Sequence, residues 1–574
     1  MKYPAFQMTV AAAATAALLV ACGGGNDGPA ASATVDTPAT PAGVVIGGVA
    51  TTGLALANAP VTVKCSGGDG TTTTDASGAF SVTVSGAALP CLVQVTGTVN
   101  GSSVTLHSVS EAGTANGNTT TARANVTPLT ELIVARLMGQ APSAAFQSFS
   151  ATTSITAQQV TAAATAILQA VKDATGVDLG TIDPLKATLV AATTSAPTAG
   201  NDYDKLLDAL GTKLSVQSLP LVVTQLTANP NGGATALAQA LSHAPGCPSA
   251  ISGRYRTLDL TGGVMAGTID FKAMKVTFDG HAESPAIHQN PNQACDFSLG
   301  GTSFAADASY RFAIGPVGAG AFRTYSGTDI VNGYIFPAQA AQLSAVTGNS
   351  WLMAQSGYDA EEALRVNWLT KLTIAADGSV SGCDFQEAQN WGGNCTTEVN
   401  APTLSLVAGT EGSLEVRESG NTAARLWTFR APDGATTMYG TTVLSDASQQ
   451  RTHLVATRQT ALSLPAAGTK TKVLNFGAAA GANASAFTSN PPVVSQYTIA
   501  AGSTANTFVR NGTNGTQTVT NQVILNNAPQ NGLRSFQANP AVIQLPLLGS
   551  GLTVVMQPAG ATSFSHTIAV NLPQ

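Results

Sequence analysis

Changes of hydrophobic rhythm divide this chain. From about Val44 to Val126, apolar and polar positions alternate in short runs broken by turn residues. "GVVIGGVATTGLALANAPVTVKCSG" holds two β-branched runs separated by a small-residue turn. Phe80, Val82 and Val84 alternate with Ala79, Ser81 and Thr83, the pattern of a half-buried strand. Thr74-Asp75-Ala76-Ser77-Gly78 predicts the turn before it, because Asp and Ser bond back to the backbone and Gly tolerates positive φ. Asn100-Gly101 predicts a two-residue hairpin. Short strands at this spacing predict a β-sandwich over residues 44–126.

Between residues 127 and 246 the period lengthens. Leu129, Leu132, Ile133 and Leu137 share one helical face. "TAQQVTAAATAILQAVKDATG" predicts a second helix, with Thr156 as N-cap and Gly176 past its end. "NDYDKLLDALGTKL" predicts a third, with Asp202 and Asp204 in a first turn whose dipole favours anions. "GATALAQALSH" predicts a fourth. Together they read as a small helical connector.

From Cys247 the alternation of strands returns and lasts to the C-terminus. It predicts a large antiparallel β region of barrel or sandwich form, divided at 247–438 and 439–574. Asn511-Gly512 and Asn514-Gly515 predict turns. The uncharged run Val542 to Met556 is broken by Gln544, Pro546 and Gly549-Ser550-Gly551, and predicts a hairpin of two buried strands. Cys295-Asp296-Phe297 returns as Cys383-Asp384-Phe385, with "KVTFDG" and "KLTIAADG" upstream, which suggests an internal repeat. The tripeptide reads as a disulfide cysteine, a turn Asp and a core Phe. The expected fold is mainly β and multidomain.

The N-terminus carries an address. Lys2 precedes an apolar stretch from Met8 to Val20, the pattern of a secretory signal. This stretch is shorter than the roughly twenty residues a membrane-spanning helix needs. Leu19-Val20-Ala21-Cys22 resembles the bacterial lipobox. The resemblance implies that residues 1–21 are a signal peptide, and that the Cys22 thiol carries diacylglycerol. Gly23, where aspartate would imply inner-membrane retention, implies the outer membrane. Residues 22–43 are rich in Gly, Ala, Pro, Ser and Thr, cannot build a core, and read as a flexible tether. "GGVATTGLALANAPVTVKC…TTTTDASGAFSVTV" resembles the carboxypeptidase regulatory-like, transthyretin-like β-sandwich, which implies a non-catalytic spacer or binding module. "NVTPLTEL…DYDKLLDAL" resembles a helical connector of proteobacterial lipoproteins and implies no activity.

Composition narrows the partners. Charged residues make up 10% of 574, against about 25% in an average soluble protein. The net charge is −6 and the cations are scattered, which argues against nucleic acid. Besides Cys22, six cysteines remain: Cys65, Cys91, Cys247, Cys295, Cys383 and Cys395. An even number in an exported chain predicts disulfides. Sequence alone leaves every pairing open; the expectation is neighbours, Cys65–Cys91, Cys247–Cys295 and Cys383–Cys395. No C-x-x-C spacing points to zinc.

Catalytic signatures are scarce: no G-x-S-x-G elbow, no phosphate loop and no H-E-x-x-H. "FDGHAESPAIHQNPNQACDF" gathers Asp279, His281, Glu283, His288 and Asp296, residue types that bind metals, but it reads as a polar surface loop. "GYDAEEALRVNW" brings Asp359, Glu361 and Glu362 together, yet adjacent glutamates do not face each other on a helix. Trp351, Trp368, Trp391 and Trp427, with Tyr255, Tyr310 and Tyr358, read mainly as core rings. Trp391, beside Gly392-Gly393, and Trp351 are the candidate ligand contacts. The expected protein is a lipid-anchored envelope protein, not an enzyme, with no metal or cofactor. It would be held to the membrane through Cys22 and bind a small molecule, a glycan or a surface protein. The alternatives are a structural or adhesive surface lipoprotein, and an exported hydrolase with an unrecognised carboxylate or metal site.

Overall fold

Val44, Ile46, Phe80, Val82 and Val84 point inward from one four-stranded sheet toward Val61, Val63, Val93 and Val95 of a second. The first sheet runs Ala79–Ser85, Gly43–Val49, Thr119–Arg123, Gly113–Asn116, and its central pair is parallel. The second runs Gly68–Thr73, Pro60–Ser66, Ala88–Val99, Ser102–Ser110. The strand at Ala79–Ser85 is buried at every second position, as the alternation requires. Before it Asp75 accepts from Ser77 N and Ala79 N, and Gly78 sits at φ 78°. This computed structural model describes residues 43–99, 102–212, 214, 218–228, 233–326, 329–359, 364–384, 403–443, 452–481, 488–557 and 563–573. The signal segment, Cys22, the tether up to residue 42, the Asn100-Gly101 turn, Glu361, Glu362, Trp391 and Cys395 lie outside these residues, whereas Gly43, expected to end the tether, opens the first strand.

Helices pack on the sandwich and share its core, with Leu129, Leu132, Ile133 and Ile167 fully or nearly fully buried. Thr127 caps Pro128–Met138 through a reciprocal box with Thr130, and Thr156 caps Ala157–Thr175 through one with Gln159. Gly176 ends the latter in the left-handed conformation. Asp202–Gly211 starts on Asn201. Asp204 in its first turn is buried and accepts from Ala192 N at 3.0 Å. Burial, then the neighbouring Asp208 charge, raise its carboxyl above the usual range, against the Ala192 hydrogen bond. Gly233–Ala240 forms where expected. Pro142–Ser148 and Leu219–Ala228 are helices that the sequence pattern did not predict.

Among the described residues the remaining chain builds three antiparallel meanders, of eight, eight and nine strands, the ninth being the two-residue strand Thr488–Ser489 on the flank of the third. The first runs from Gly253 to Pro337. Its edge strands Lys275–Phe278 and Ile287–Asn290 meet through a bridge between Lys275 and Ala286, with Ile287 N donating to Met274 O at 2.8 Å. The sheet therefore curls into a ring. The second, Asn349–Asp359 through His453–Arg458, is a closed barrel sealed by pairs from Trp351–Arg458 to Ser356–His453. The third begins at Lys470–Gly481, whose flanks pair with both Val493–Ala501 and Ser563–Asn571, so it also closes. The division expected at residue 438 falls inside the strand Thr436–Thr442, because two further strands are needed to seal the second ring. Asn539–Leu547 and Leu552–Met556 form the expected hairpin. Asn511-Gly512 is not a turn. It lies within Thr507–Asn514 at a bulge, where a Cβ on Gly512 would sit 1.9 Å from Gln496 O. The two Cys-Asp units do not occupy matching strands, since one lies on Gln293–Leu299 and the other ends Ser379–Asp384.

The rings pack by their outer faces. The Tyr439 ring lies 5.3 Å from that of Tyr334 and stacks 4.2 Å from that of Phe336. Phe429, Phe476 and Ile568 join the same core. At its centre His566 Nδ1 lies 3.0 Å from Ser356 Oγ, and its Nε2 lies 3.2 Å from Tyr334 Oη. Asn367 Nδ2 donates to Gln557 O at 2.5 Å and Ser565 O at 3.0 Å. Burial, and next the ring of His453, hold the His566 imidazole well below its ordinary value.

Candidate functional site

Inside the first ring is a cavity of about 500 Å³. Strand alternation builds it. Thr257 and Tyr255 face in from Gly253–Asp259, Met265 and Ile269 from Val264–Asp270, and Val276 and Phe278 from Lys275–Phe278. Phe312, Phe322 and Ile335 complete the floor from the opposite wall. Tyr255, Ile269, Val276, Phe312 and Ile335 are each under 5% exposed, so the floor is deeply placed and apolar. Phe312 stacks 5.0 Å from Phe297, which lies 5.1 Å from Phe271. These rings make the wall stiff.

The mouth is different. Met265, Tyr310 and Tyr325 are 41–46% exposed. Their rings and thioether stand in water beside the cavity rather than in a core. The Tyr310 and Tyr325 rings meet edge-on at 5.6 Å, and Ser309 Oγ donates to Tyr325 Oη at 3.1 Å. His281, edge-on to Phe278 at 6.4 Å, and Glu283 add polar groups to the rim. Asp259 is not free for a ligand: its Oδ1 accepts from Thr261 N, Thr261 Oγ1 and Gly263 N.

Two buried arginines hold the mouth in place. Arg311 forks onto Asp296, with Nε to Oδ1 at 2.8 Å and Nη2 to Oδ2 at 2.7 Å. Asn290 Nδ2 donates to the same Oδ2 at 2.7 Å. Arg311 Nη1 also donates to Ala306 O. Arg323 Nη1 donates to Asp307 O and Ala308 O at 3.0 Å, and its Nη2 to Ser489 O at 2.7 Å. The loop that carries Tyr310 is thereby tied down from below. Burial, then the charge of Arg311, lower the Arg323 pKa. Cys247–Cys295 joins the strand Cys247–Ile251 to the ring's wall. Cys65–Cys91 joins directly opposed residues of two sandwich strands. Cys383 is disulfide-bonded.

The metal-type cluster seen in sequence is dispersed. Asp279 pairs with Arg254, and His288 Nε2 lies 3.2 Å from Gly301 O. Asp296 is not in a turn: it sits mid-strand, fully buried, in the ion pair with Arg311. Among the described residues no group of three or more His, Cys, Asp or Glu is placed to hold a metal ion. Trp351 is enclosed rather than presented at a surface. It fills the second barrel at 0% exposure, with Nε1 donating to Val346 O at 3.1 Å. Trp427 is buried against Arg256. Tyr310 is not a core ring, and Met265 and Tyr325 carry no signal in the sequence; only the curl of the sheet brings the three together.

The arrangement suits holding a small molecule, its apolar body against Phe312 and Phe322 and its exposed end between the tyrosines. No family model matches the chain, and no curated protein matches it. Among solved structures, one similar chain is a protein of unknown function from the DUF3598 family of Nostoc punctiforme, at 11% identity, covering 39% of this chain and 96% of that one with a TM-score of 0.15. Another is a point mutant of the vaccine antigen transferrin-binding protein B of Haemophilus parasuis, at 9% identity, covering 56% and 67%, with a TM-score of 0.16. At these scores the functional reading rests on the site itself. No helix of the described residues is long and apolar enough to cross a membrane.

Proposed function

We propose that this chain is a lipid-anchored, non-enzymatic protein of the outer membrane that binds a small ligand with an apolar or aromatic body in its first ring. The observation that carries this reading is the placement of three exposed apolar side chains, Met265, Tyr310 and Tyr325, at the mouth of a cavity floored by buried aromatic and aliphatic groups. Exposed rings cost little singly, but gathered at a concave site they mark a place where a partner covers them. The lipobox resemblance at Leu19 to Cys22 supports the anchor. The regulatory-like resemblance of the sandwich supports a spacer between the anchor and the rings.

Native mass spectrometry of periplasm-produced protein, against its denatured mass, tests the reading. A bound mass of a few hundred daltons that leaves on denaturation is expected, reduced in a Tyr310→Ala/Tyr325→Ala variant. A bound mass that the variant retains in full places the ligand elsewhere. A bare polypeptide that also takes up no apolar probe overturns the reading.

A further inference from the structure

The third ring has a different interior. On its strands Leu474, Phe476, Val554, Ile568 and Val570 belong to the core shared with the neighbouring rings. The alternate residues therefore face the lumen. That set includes Tyr497, Arg510, Gln522, Asn526, Arg534 and Phe536. Asn475, Ser495 and Asn514 continue it as a hydrogen-bonded row, with Asn475 Nδ2 donating to Ser495 Oγ at 2.7 Å and Ser495 Oγ to Asn514 Oδ1 at 2.8 Å. The lumen is therefore mixed: Ile499, Phe508 and Ile524 form a small apolar cluster on the same faces, and polar groups stand beside it.

Two guanidiniums dominate this lumen, and among the described residues neither has a counter-ion. Arg510 lies 4.5 Å from the Tyr497 ring centre and 5.3 Å from that of Phe536. Its Nη2 donates to the neutral Gln522 Oε1 at 2.9 Å, and its Nε is buried with no acceptor. Arg534 lies 5.2 Å from the Phe508 ring centre, and its Nε donates to the neutral Asn526 Oδ1 at 2.9 Å. Among the described residues no carboxylate forms an ion pair with either. The reason is visible in the sequence: Asp446 is the last acidic residue. Residues 447–574 hold Arg451, Arg458, Lys470, Lys472, Arg510 and Arg534, and none of the chain's 31 Asp and Glu. Burial lowers the pKa of both arginines, and the charge of Arg510 lowers that of Arg534 further. Arg534 Nη2 also donates to Ser463 O at 3.3 Å. Two like charges thus face one lumen with neutral partners only, among the described residues, which leaves part of their desolvation cost unmet. Aromatic stacking fixes the planes of the forks but supplies no opposite charge.

We infer that the lumen of the third ring is a binding site for an oxyanion, a carboxylate or phosphate group of a small molecule, which completes the charge on Arg510 and Arg534. Planar forks held against rings match the bidentate geometry of such groups. This site is separate from the cavity of the first ring and does not depend on it.

Thermal unfolding of the full-length protein tests this, in inorganic phosphate and in benzoate, each against sodium chloride of equal ionic strength. Phosphate stabilises proteins in general by exclusion from their surface, so the informative quantity is the difference between wild type and variant. Wild type is expected to gain in midpoint with at least one oxyanion, saturably. Gln522→Glu places a carboxylate beside Arg510 with almost no change of shape. It is expected to melt higher than wild type in chloride and to bind the oxyanion at least tenfold more weakly. Arg510→Met/Arg534→Met is expected to lose the specific response altogether. A response to phosphate alone assigns the site to phosphate groups, and one to benzoate alone to carboxylates. No gain in wild type beyond chloride overturns the inference. So does an undiminished response in Gln522→Glu, a variant that tests the site even if the double variant does not fold.

Discussion

The first and second rings are built alike and filled differently. Each is an antiparallel meander of eight strands. In the second, Trp351, Leu406, Leu426, Met438 and Leu454 meet in the middle and fill it. In the first, the inward residues stop short of one another and leave about 500 Å³. Topology therefore does not decide whether such a ring is filled or hollow. The volume of the inward side chains does, together with what stands at the open end. The second ring buries the Trp351 indole completely, whereas the first leaves Tyr310 and Tyr325 in water.

This contrast can be broken most forcefully at Trp351. Trp351→Ala should cost about 4 kcal/mol of stability through lost contacts and the cavity left behind, read from urea unfolding. Ligand uptake by the first ring should persist under native conditions. A cost below about 1 kcal/mol would show that the second barrel is not packed as described.

The mouth of the first ring offers the next test. Asp296→Asn leaves the Arg311 charge buried without its partner, since the two side chains are 0% and 4% exposed. Removing one member of such a pair costs about 3–5 kcal/mol. We expect about 3 kcal/mol here, because Ala306 O still accepts from Arg311. The loop bearing Tyr310 should loosen as well, visible as faster amide exchange in residues 305–309. Unchanged exchange there would separate the ion pair from the mouth.

A smaller effect concerns the junction between the rings. His566 is buried neutral, with its folded pKa depressed below the unfolded value of about 6.5. Above that value neither state binds the proton, and the full stability is present. As pH falls below it, the unfolded chain takes up a proton that the folded chain refuses. Stability is then lost by up to about 1.4 kcal/mol per pH unit until the folded pKa is reached. His566→Gln should flatten this acid limb in chemical unfolding measured from pH 7 to pH 5. An equally steep limb in the variant would assign the dependence to other groups.

Much of this fold was legible because it is local. The caps at Thr156 and Gly176, the alternation of Phe80, Val82 and Val84, and the hairpin around Gly549-Ser550-Gly551 are written within a few residues of one another. What escaped is non-local. Closing the third ring pairs Val473 with Asn571, and no window of sequence holds both. Leu219–Ala228 carries β-branched residues and a proline, yet is helical because Val222, Val223 and Leu226 are buried against its neighbours. Asp296 looked like a turn residue because its partner, Arg311, comes fifteen positions later on the next strand. The candidate site escaped for the same reason. Met265, Tyr310 and Tyr325 lie on separate stretches, and each alone is an ordinary exposed side chain. Tryptophan drew attention by its size, but in the second ring size is what makes it a plug.

The smallest effect on stability should accompany the largest on binding. Tyr310→Ala/Tyr325→Ala removes exposed rings and should change stability by no more than about 0.5 kcal/mol. The most direct measurement is a fluorescence titration of wild type, Trp351→Phe and this double variant with N-phenyl-1-naphthylamine, a neutral apolar probe that the arginines of the third ring have no reason to hold. The account predicts saturable uptake of one equivalent by wild type and by Trp351→Phe, and at least tenfold weaker uptake by the double variant. Uptake that is absent from wild type, or unchanged when both tyrosines are gone, would contradict it.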